Sequence, residues 1–180
     1  MRGRPGSLWL WLAVLAIALV ASLVRPATGQ ALARGTSVVR TIDRYRSITW
    51  YWQRLMGRPR TPTAYAERRT ADPAFRLWVL SVWRRRAIVA RRHGERPPRL
   101  WAWRCIHRHE ATWHDTGAPY YGGLQMDLTF QRRYGYWLLR RKGTANRWTP
   151  WEQIWVAERA FRSGRGFGPW PNTARACGLR

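Results

Sequence analysis

Lysine is almost missing from this chain: Lys142 is the only one among 180 residues. Acid is scarce as well, with 9 Asp+Glu against 33 Lys+Arg, so the formal charge is +24 and nearly every cation is an arginine. Coding bias in a GC-rich genome explains arginine without lysine, but a field of that size favours polyanions whatever its origin. Cysteine is limited to Cys105 and Cys177. No paired Cys-x-x-Cys and no His-Glu-x-x-His occurs, so the chain carries none of the strong zinc patterns. Gly164, Gly166 and Gly168 do not have the spacing of a phosphate loop and follow no strand pattern, which excludes one. Internal repeats and long low-complexity tracts are also lacking, and the length allows two folded units at most.

The one long apolar run lies at the start. Arg2 and Arg4 precede an uncharged stretch from Leu8 to Val24, Arg25 and Pro26 break it, and small residues follow. That is the layout of an export signal, with Ala31 and Ala33 offering a peptidase site after Ala33 and a second site near Ala27. Read as a retained anchor, roughly 17 residues at about 1.5 Å each reach about 26 Å, marginal for a hydrocarbon core of about 30 Å. Both readings of residues 1–33, signal peptide or membrane anchor, place the rest outside the cytoplasm. It would be extracellular or in the cell wall, or held at the outer face of the membrane. Two cysteines in an exported chain permit one bridge closing a loop of about 72 residues; the alternative is two free buried thiols.

Residues 34–96 read as an amphipathic helical region. From Thr41 to Met56 the apolar positions Ile42, Tyr45, Ile48, Trp52 and Leu55 recur at helical steps, and Gly57 and Pro59 end the pattern. Residues 57–72 read as a loop, with a helical turn allowed over Ala64 to Arg69. Asp72 before Pro73 signals a helix start, and the apolar face continues through Phe75, Trp78, Val79, Val82, Trp83 and Val89, with arginines opposite. These two helices are expected to form a hairpin against the next domain; the other reading is a basic amphipathic surface lying on an anionic membrane or wall. No set of residues here points to chemistry. Pro97 and Pro98 mark the boundary to a domain over residues 97–180.

Leu100 to Glu110 reads as a helix with Trp103 and Ile106 on one side, and a glutamate ending such a helix can project into a cleft. A polar, turn-rich stretch from Thr112 to Pro119 follows, then Tyr120-Tyr121-Gly122-Gly123-Leu124-Gln125, a short extended segment or hairpin. His107, His109 and His114, with Cys105 and Glu110, were they a metal cluster, would match no ligand spacing, and His107 and His109 point to different helix faces. No metal and no cofactor is expected.

The stretch CIHRHEATWHDTGAPYYGGLQMDLTF resembles the catalytic segment of the resuscitation-promoting factors and related actinobacterial transglycosylase-like domains, where a glutamate at a helix end precedes W…NTGNGYYGGLQF. The ending WEQIWVAERAFRSGRGFGPWPNTARACGL is similar to the closing helix, Gly-Trp-Pro turn and last cysteine of the same family. The resemblance covers about 80 residues. It implies an α+β, mostly helical, lysozyme-like fold and action on the β-1,4 bond between N-acetylmuramic acid and N-acetylglucosamine in peptidoglycan glycan strands. On that basis Glu110 is the catalytic acid, Trp113, Tyr120, Tyr121, Gly122, Gly123 and Gln125 bind substrate, and Cys105 and Cys177 form a disulfide. Many members place the cysteine directly before the glutamate and carry a longer loop after it; here Cys105 lies five residues earlier and only Ala111 and Thr112 separate Glu110 from Trp113. Four residues is close to one helical turn, so Cys105 shares nearly the face of position 109.

The chemistry follows from the bond to be broken, which needs a proton for the leaving oxygen and stabilisation of oxocarbenium-like charge. Aromatic neighbours such as Trp113, Tyr120 and Tyr121 would favour the neutral, proton-bearing form of Glu110. Asp115 and Asp127 are the nearby candidates for a second carboxylate, and Asp115 falls where relatives often carry asparagine. Without one, the muramyl N-acetyl or 6-hydroxyl group completes the reaction, which favours a lytic transglycosylase over a lysozyme-type hydrolase. Glu158 reads as a structural residue paired with an arginine. The expected partners are glycan strands, with anionic envelope polymers or a membrane surface beside them, for a monomer. A non-catalytic peptidoglycan-binding module on the same fold is the alternative, and a nucleic-acid-binding protein is the third. The spread of arginines over the whole length, with no single basic element, argues against nucleic acid.

Overall fold

The computed structural model describes the backbone of residues 26–179 and the side chains of residues 35–179. The apolar run Leu8 to Val24 lies outside the described residues. Helix α1 (Pro26–Met56) is 31 residues long. It ends at Met56, as Gly57 and Pro59 predict, but begins well before Thr41, so the position after Ala33 falls within it. A short helix α2 (Tyr65–Arg69) precedes α3 (Pro73–Gly94), whose start is the expected cap: the Asp72 side chain accepts from the Ala74 N–H at 2.9 Å with Pro73 in the first turn. Among the described residues no helix is long and apolar enough to cross a membrane.

The two long helices do not form a hairpin. Gly35 lies against Arg76 and Gly94 against Trp52, while Ile42 packs with Val79 and Trp83 between those points, so α1 and α3 run in the same direction. Short loops make antiparallel neighbours; residues 57–72 are long enough to retrace the helix. That return is fastened by Trp50 Nε1 donating to Thr61 O, two hydrogen bonds between Gln53 and Thr61, and Trp83 Nε1 donating to Glu67. The buried row on α3 is Val79, Trp83, Ala87, Ala90 and Gly94. Trp78 and Val89, expected on that face, are 53% and 50% exposed. From Ala87 onward the row is made of small residues, which let α1 approach: a Cβ on Gly94 would stand 2.0 Å from the Trp52 ring.

Past the proline pair come α4 (Leu100–His109), strands β1 (Tyr120–Tyr121) and β2 (Met126–Asp127), α5 (Leu128–Lys142), a 3-10 turn over Ala145–Arg147, α6 (Pro150–Ala160), a π turn over Phe161–Arg165 and α7 (Pro171–Ala176). The strands pair antiparallel with Tyr120 opposite Asp127 and Tyr121 opposite Met126. The described residues are thus mostly helical, with one minimal hairpin among them. The boundary expected at 97 falls between α3 and α4, and one core runs across it: Trp52, Leu55, Met56 and Ala90 share a cluster with Trp103, Ile106, Leu138 and Val156.

Helix α6 is the axis of that core. It starts with a capping box between Thr149 and Glu152 and is buried almost all round, so its polar side chains need partners. Glu158, with no exposed surface, accepts from the Arg99 N–H at 3.1 Å, the Arg99 guanidinium at 2.7 Å and Trp103 Nε1 at 2.8 Å. The arginine pairing read from sequence is therefore present, and it ties α6 to the first turn of α4. Glu158→Ala leaves the buried Trp103 and Arg99 donors without an acceptor, an expected loss of about 3 kcal/mol of stability. Urea unfolding monitored by tryptophan fluorescence measures it, and an unchanged midpoint would contradict it.

Glu152 accepts from Lys142 Nζ, the Tyr51 hydroxyl and the Thr149 N–H, each at 2.7 Å. Burial pushes its carboxyl up, but these donors outweigh burial and hold the group below the usual carboxylate range. Burial and the neighbouring Glu152 carboxylate push the Tyr51 phenol up, so it stays a donor. A group depressed in the folded state stabilises fully above its ordinary value, here 4.5, and that contribution is lost as pH falls through the lower native value. Stability between pH 5 and about pH 2 is therefore expected to fall less steeply in Glu152→Gln than in the parent. Parallel thermal scans across that range check the difference in slope.

Candidate functional site

The last turn of α4 carries His107 and ends at Glu110, the C-cap residue, with backbone φ −97° and ψ −85°. Glu110 is half-buried. Its Oε1 accepts from the Thr173 hydroxyl of α7 at 2.8 Å. Helix α7 is pinned where it needs to be for that contact, because Cys177 at its end is disulfide-bonded to Cys105 on α4, 72 residues away, with Cα atoms 6.0 Å apart. The earlier position of Cys105 is therefore compatible with the bridge.

The loop after Glu110 is built onto the same helix. Trp113 stacks on His107, ring centroids 3.9 Å apart and planes inclined by 21°. His107 Nδ1 lies 3.2 Å from the Gly123 carbonyl, and a carbonyl can only accept, so Nδ1 carries the proton. Trp170 Nε1, from the Gly-Pro-Trp-Pro turn, donates to the Leu124 carbonyl at 2.7 Å. The two ends of the sequence pattern, Tyr120 to Gln125 and residues 168–171, are thus joined directly.

Gly122 and Gly123 are required by their neighbours. Gly122 has φ +75°, and a Cβ there would stand 2.6 Å from Gln153 Oε1; at Gly123 it would stand 2.5 Å from His107 Nδ1 and 2.8 Å from the Trp113 ring. The close backbone approach that these glycines permit is made to the chain's own side chains. Gln125, at φ +48°, donates its amide to Asp115 Oδ2 at 2.7 Å and to the Gly122 carbonyl at 2.9 Å. Both amide protons are spent inside the loop, which leaves Oε1. Tyr121 is half-buried against the main core, and Tyr120 is 49% exposed.

The two candidates for a second carboxylate have structural work. Asp115 receives Gln125, and its backbone carbonyl accepts from the Gly122 N–H at 2.9 Å. Asp127 caps α5, accepting from the Phe130 N–H at 2.6 Å. Of the histidines, His107 serves the Gly123 contact and His114 Nδ1 lies 3.0 Å from the Asn146 carbonyl. His109 stands beside Cys105 and Cys177, whose sulfurs are bonded to each other and offer no thiolate.

Two residues that hold the site escaped sequence reading. Thr173 lies 63 residues from Glu110 in a stretch with no polar pattern to mark it. Gln153 is fully buried, and its Nε2 reaches the carbonyls of Trp113, Ala145 and Trp148 at 2.8, 2.9 and 3.2 Å. Its amide, ahead of the apolar run Ile154 to Ala157 in α6, was the available signal.

Trp113 also borders a groove of about 880 Å³ whose walls include Trp101, Arg104, His107, Arg108 and Trp151. Glu110 is not among its lining residues. The chain matches no protein-family model, and no curated protein matches it.

Proposed function

We propose that this chain is an exported peptidoglycan-cleaving enzyme with a lysozyme-like fold of the resuscitation-promoting-factor type, acting on the MurNAc–GlcNAc β-1,4 bond with Glu110 as general acid. The observation that carries the proposal is the assembly around Glu110. A lone glutamate ends a helix whose last turn is stacked and hydrogen-bonded to the Trp113 and Gly122–Gly123 loop, and whose carboxylate is oriented by Thr173. Of the residues quoted for the family resemblance, Trp113 and Gly123 meet His107 on the helix that ends at Glu110, and Cys177 is bonded to Cys105.

In this mechanism the Glu110 carboxyl protonates the glycosidic oxygen while the bond from muramyl C1 to that oxygen breaks. Positive charge develops at C1. The muramyl 6-hydroxyl oxygen then attacks C1 and its proton returns to Glu110, leaving a 1,6-anhydro end and a regenerated acid with no water consumed. Engagement of Asp115 by Gln125 and of Asp127 by α5 supports a single-acid route over a two-carboxylate hydrolysis. The free Oε1 of Gln125 accepts from a sugar hydroxyl or amide, and exposed Tyr120 offers a ring for a sugar face.

The purified chain would be incubated with peptidoglycan and the released muropeptides analysed by mass spectrometry. Anhydro-muramyl ends are expected. Reducing muramyl ends would convert the reaction to hydrolysis, and no release over a range of pH and salt would remove the enzymatic function.

A further inference from the structure

Helix α4 has a second face that the proposed chemistry does not use. Trp101, Arg104 and Arg108 recur at three- and four-residue steps and therefore stand along one side. All three line the groove of about 880 Å³ together with Trp113 and Trp151. Trp101 is 65% exposed, a large aromatic surface left to water beside two guanidinium groups.

Like charges one turn apart on a helix repel, and no carboxylate of the described residues pairs with Arg104 or Arg108. The acids nearest in sequence are committed elsewhere: Glu95 to Arg91, Glu110 to Thr173, Asp115 to Gln125. The groove is thus a cationic concavity with aromatic walls and no internal neutralisation. Guanidinium groups hold carboxylates through paired N–H donors, and indole faces cover short apolar groups. A neutral glycan backbone has nothing to answer two arginines, whereas the peptides hanging from its muramyl units carry carboxylates between short apolar side chains. Trp113 links the two places, since it borders the groove and begins three residues after Glu110.

We propose that this groove is a subsite for the peptide stem of the glycan strand, with stem carboxylates on Arg104 and Arg108 and apolar stem groups against Trp101 and Trp151. The assignment rests on the glycan-cleaving function proposed above. It makes peptide-bearing strands, not bare ones, the substrate.

Tryptophan fluorescence of the full chain would be titrated with a synthetic alanyl-glutamyl tetrapeptide stem bearing free carboxylates, with its fully amidated analogue, and with a neutral N-acetylglucosamine tetramer. The free-acid peptide is expected to bind, with amidation or the double change Arg104→Ala, Arg108→Ala each weakening it about tenfold or more. Glu110→Gln is expected to bind the peptide as the parent does, and the neutral tetramer is not expected to displace it. Equal affinity for the amidated peptide, indifference to the arginine changes, or displacement by the tetramer would overturn the subsite. Peptide binding without muropeptide release would overturn the proposed activity and leave the subsite standing. Release without peptide binding would do the reverse.

Discussion

Glu110→Gln is expected to lower the rate of muropeptide release by about a hundredfold to ten-thousandfold, the usual contribution of a positioned general acid. The substitution is nearly isosteric, and the new amide oxygen can still accept from Thr173, whose hydroxyl stands 2.8 Å from Oε1. What disappears is the transferable proton. Glu110 is half-buried at a helix end and makes no core contact comparable to Glu158, so stability should change by no more than about 0.5 kcal/mol. Activity and stability are therefore expected to separate in this variant. A matched loss of both would mean that the side chain is structural. Thr173→Val gives the complementary case: it removes the orienting hydroxyl but keeps the proton, so a smaller loss of turnover is expected than in Glu110→Gln.

Removing the disulfide is expected to have the largest effect on stability. The bond between Cys105 and Cys177 closes a segment of 72 residues, and the loss of loop entropy in the unfolded chain corresponds to about 4 kcal/mol on the chain-entropy model. A Cys105→Ser, Cys177→Ser chain should unfold at a correspondingly lower urea concentration. An effect on the site is expected as well, because the bond fixes the end of α7, the helix that presents Thr173 to Glu110. Helix α7 is only six residues long. Its other anchors are Trp170, buried among Trp103 and Phe130, and the Trp170–Leu124 hydrogen bond. The double-serine chain, assayed well below its unfolding temperature, should therefore retain the hairpin and lose turnover. Full turnover at that temperature would show that α7 stays in place without the bond.

The local features of the fold were legible where one residue decides them. Asp72 before Pro73 starts α3, Gly57 follows the end of α1, and the paired glycines at 122 and 123 sit in the loop of a hairpin. Direction and facing were harder, because they depend on shape. Hydrophobicity assigned Trp78 to the core, yet the contact row on α3 runs through Ala87, Ala90 and Gly94, which leave room for the tryptophans of α1. A hairpin was the natural expectation for two adjacent amphipathic helices. The return segment 57–72 makes them parallel through side-chain bonds to Thr61 and Glu67 that carry no sequence signature.

The site divides in the same manner. Glu110, Trp113 and the Tyr120–Gln125 loop could be selected from spacing and resemblance, and the structure brings the last turn of α4 and that loop together. Their internal roles could not be read. Gln125 spends both amide protons on Asp115 and Gly122, and the glycines accommodate His107, Trp113 and Gln153. Contacts made across 40 to 63 residues, such as Gln153 to Trp113 and Thr173 to Glu110, join positions that no local pattern connects. The groove beside Trp101, Arg104 and Arg108 was hidden by abundance: two arginines are inconspicuous among 33 Lys+Arg until the structure leaves them without acids.

The most direct test compares the parent chain and Glu110→Gln at equal folded concentration on fluorescently labelled, peptide-bearing peptidoglycan, following soluble label with time. Glycan cleavage by Glu110 predicts steady release from the parent and at least about a hundredfold slower release from the variant. Equal release from the two chains, or none from either, would contradict it.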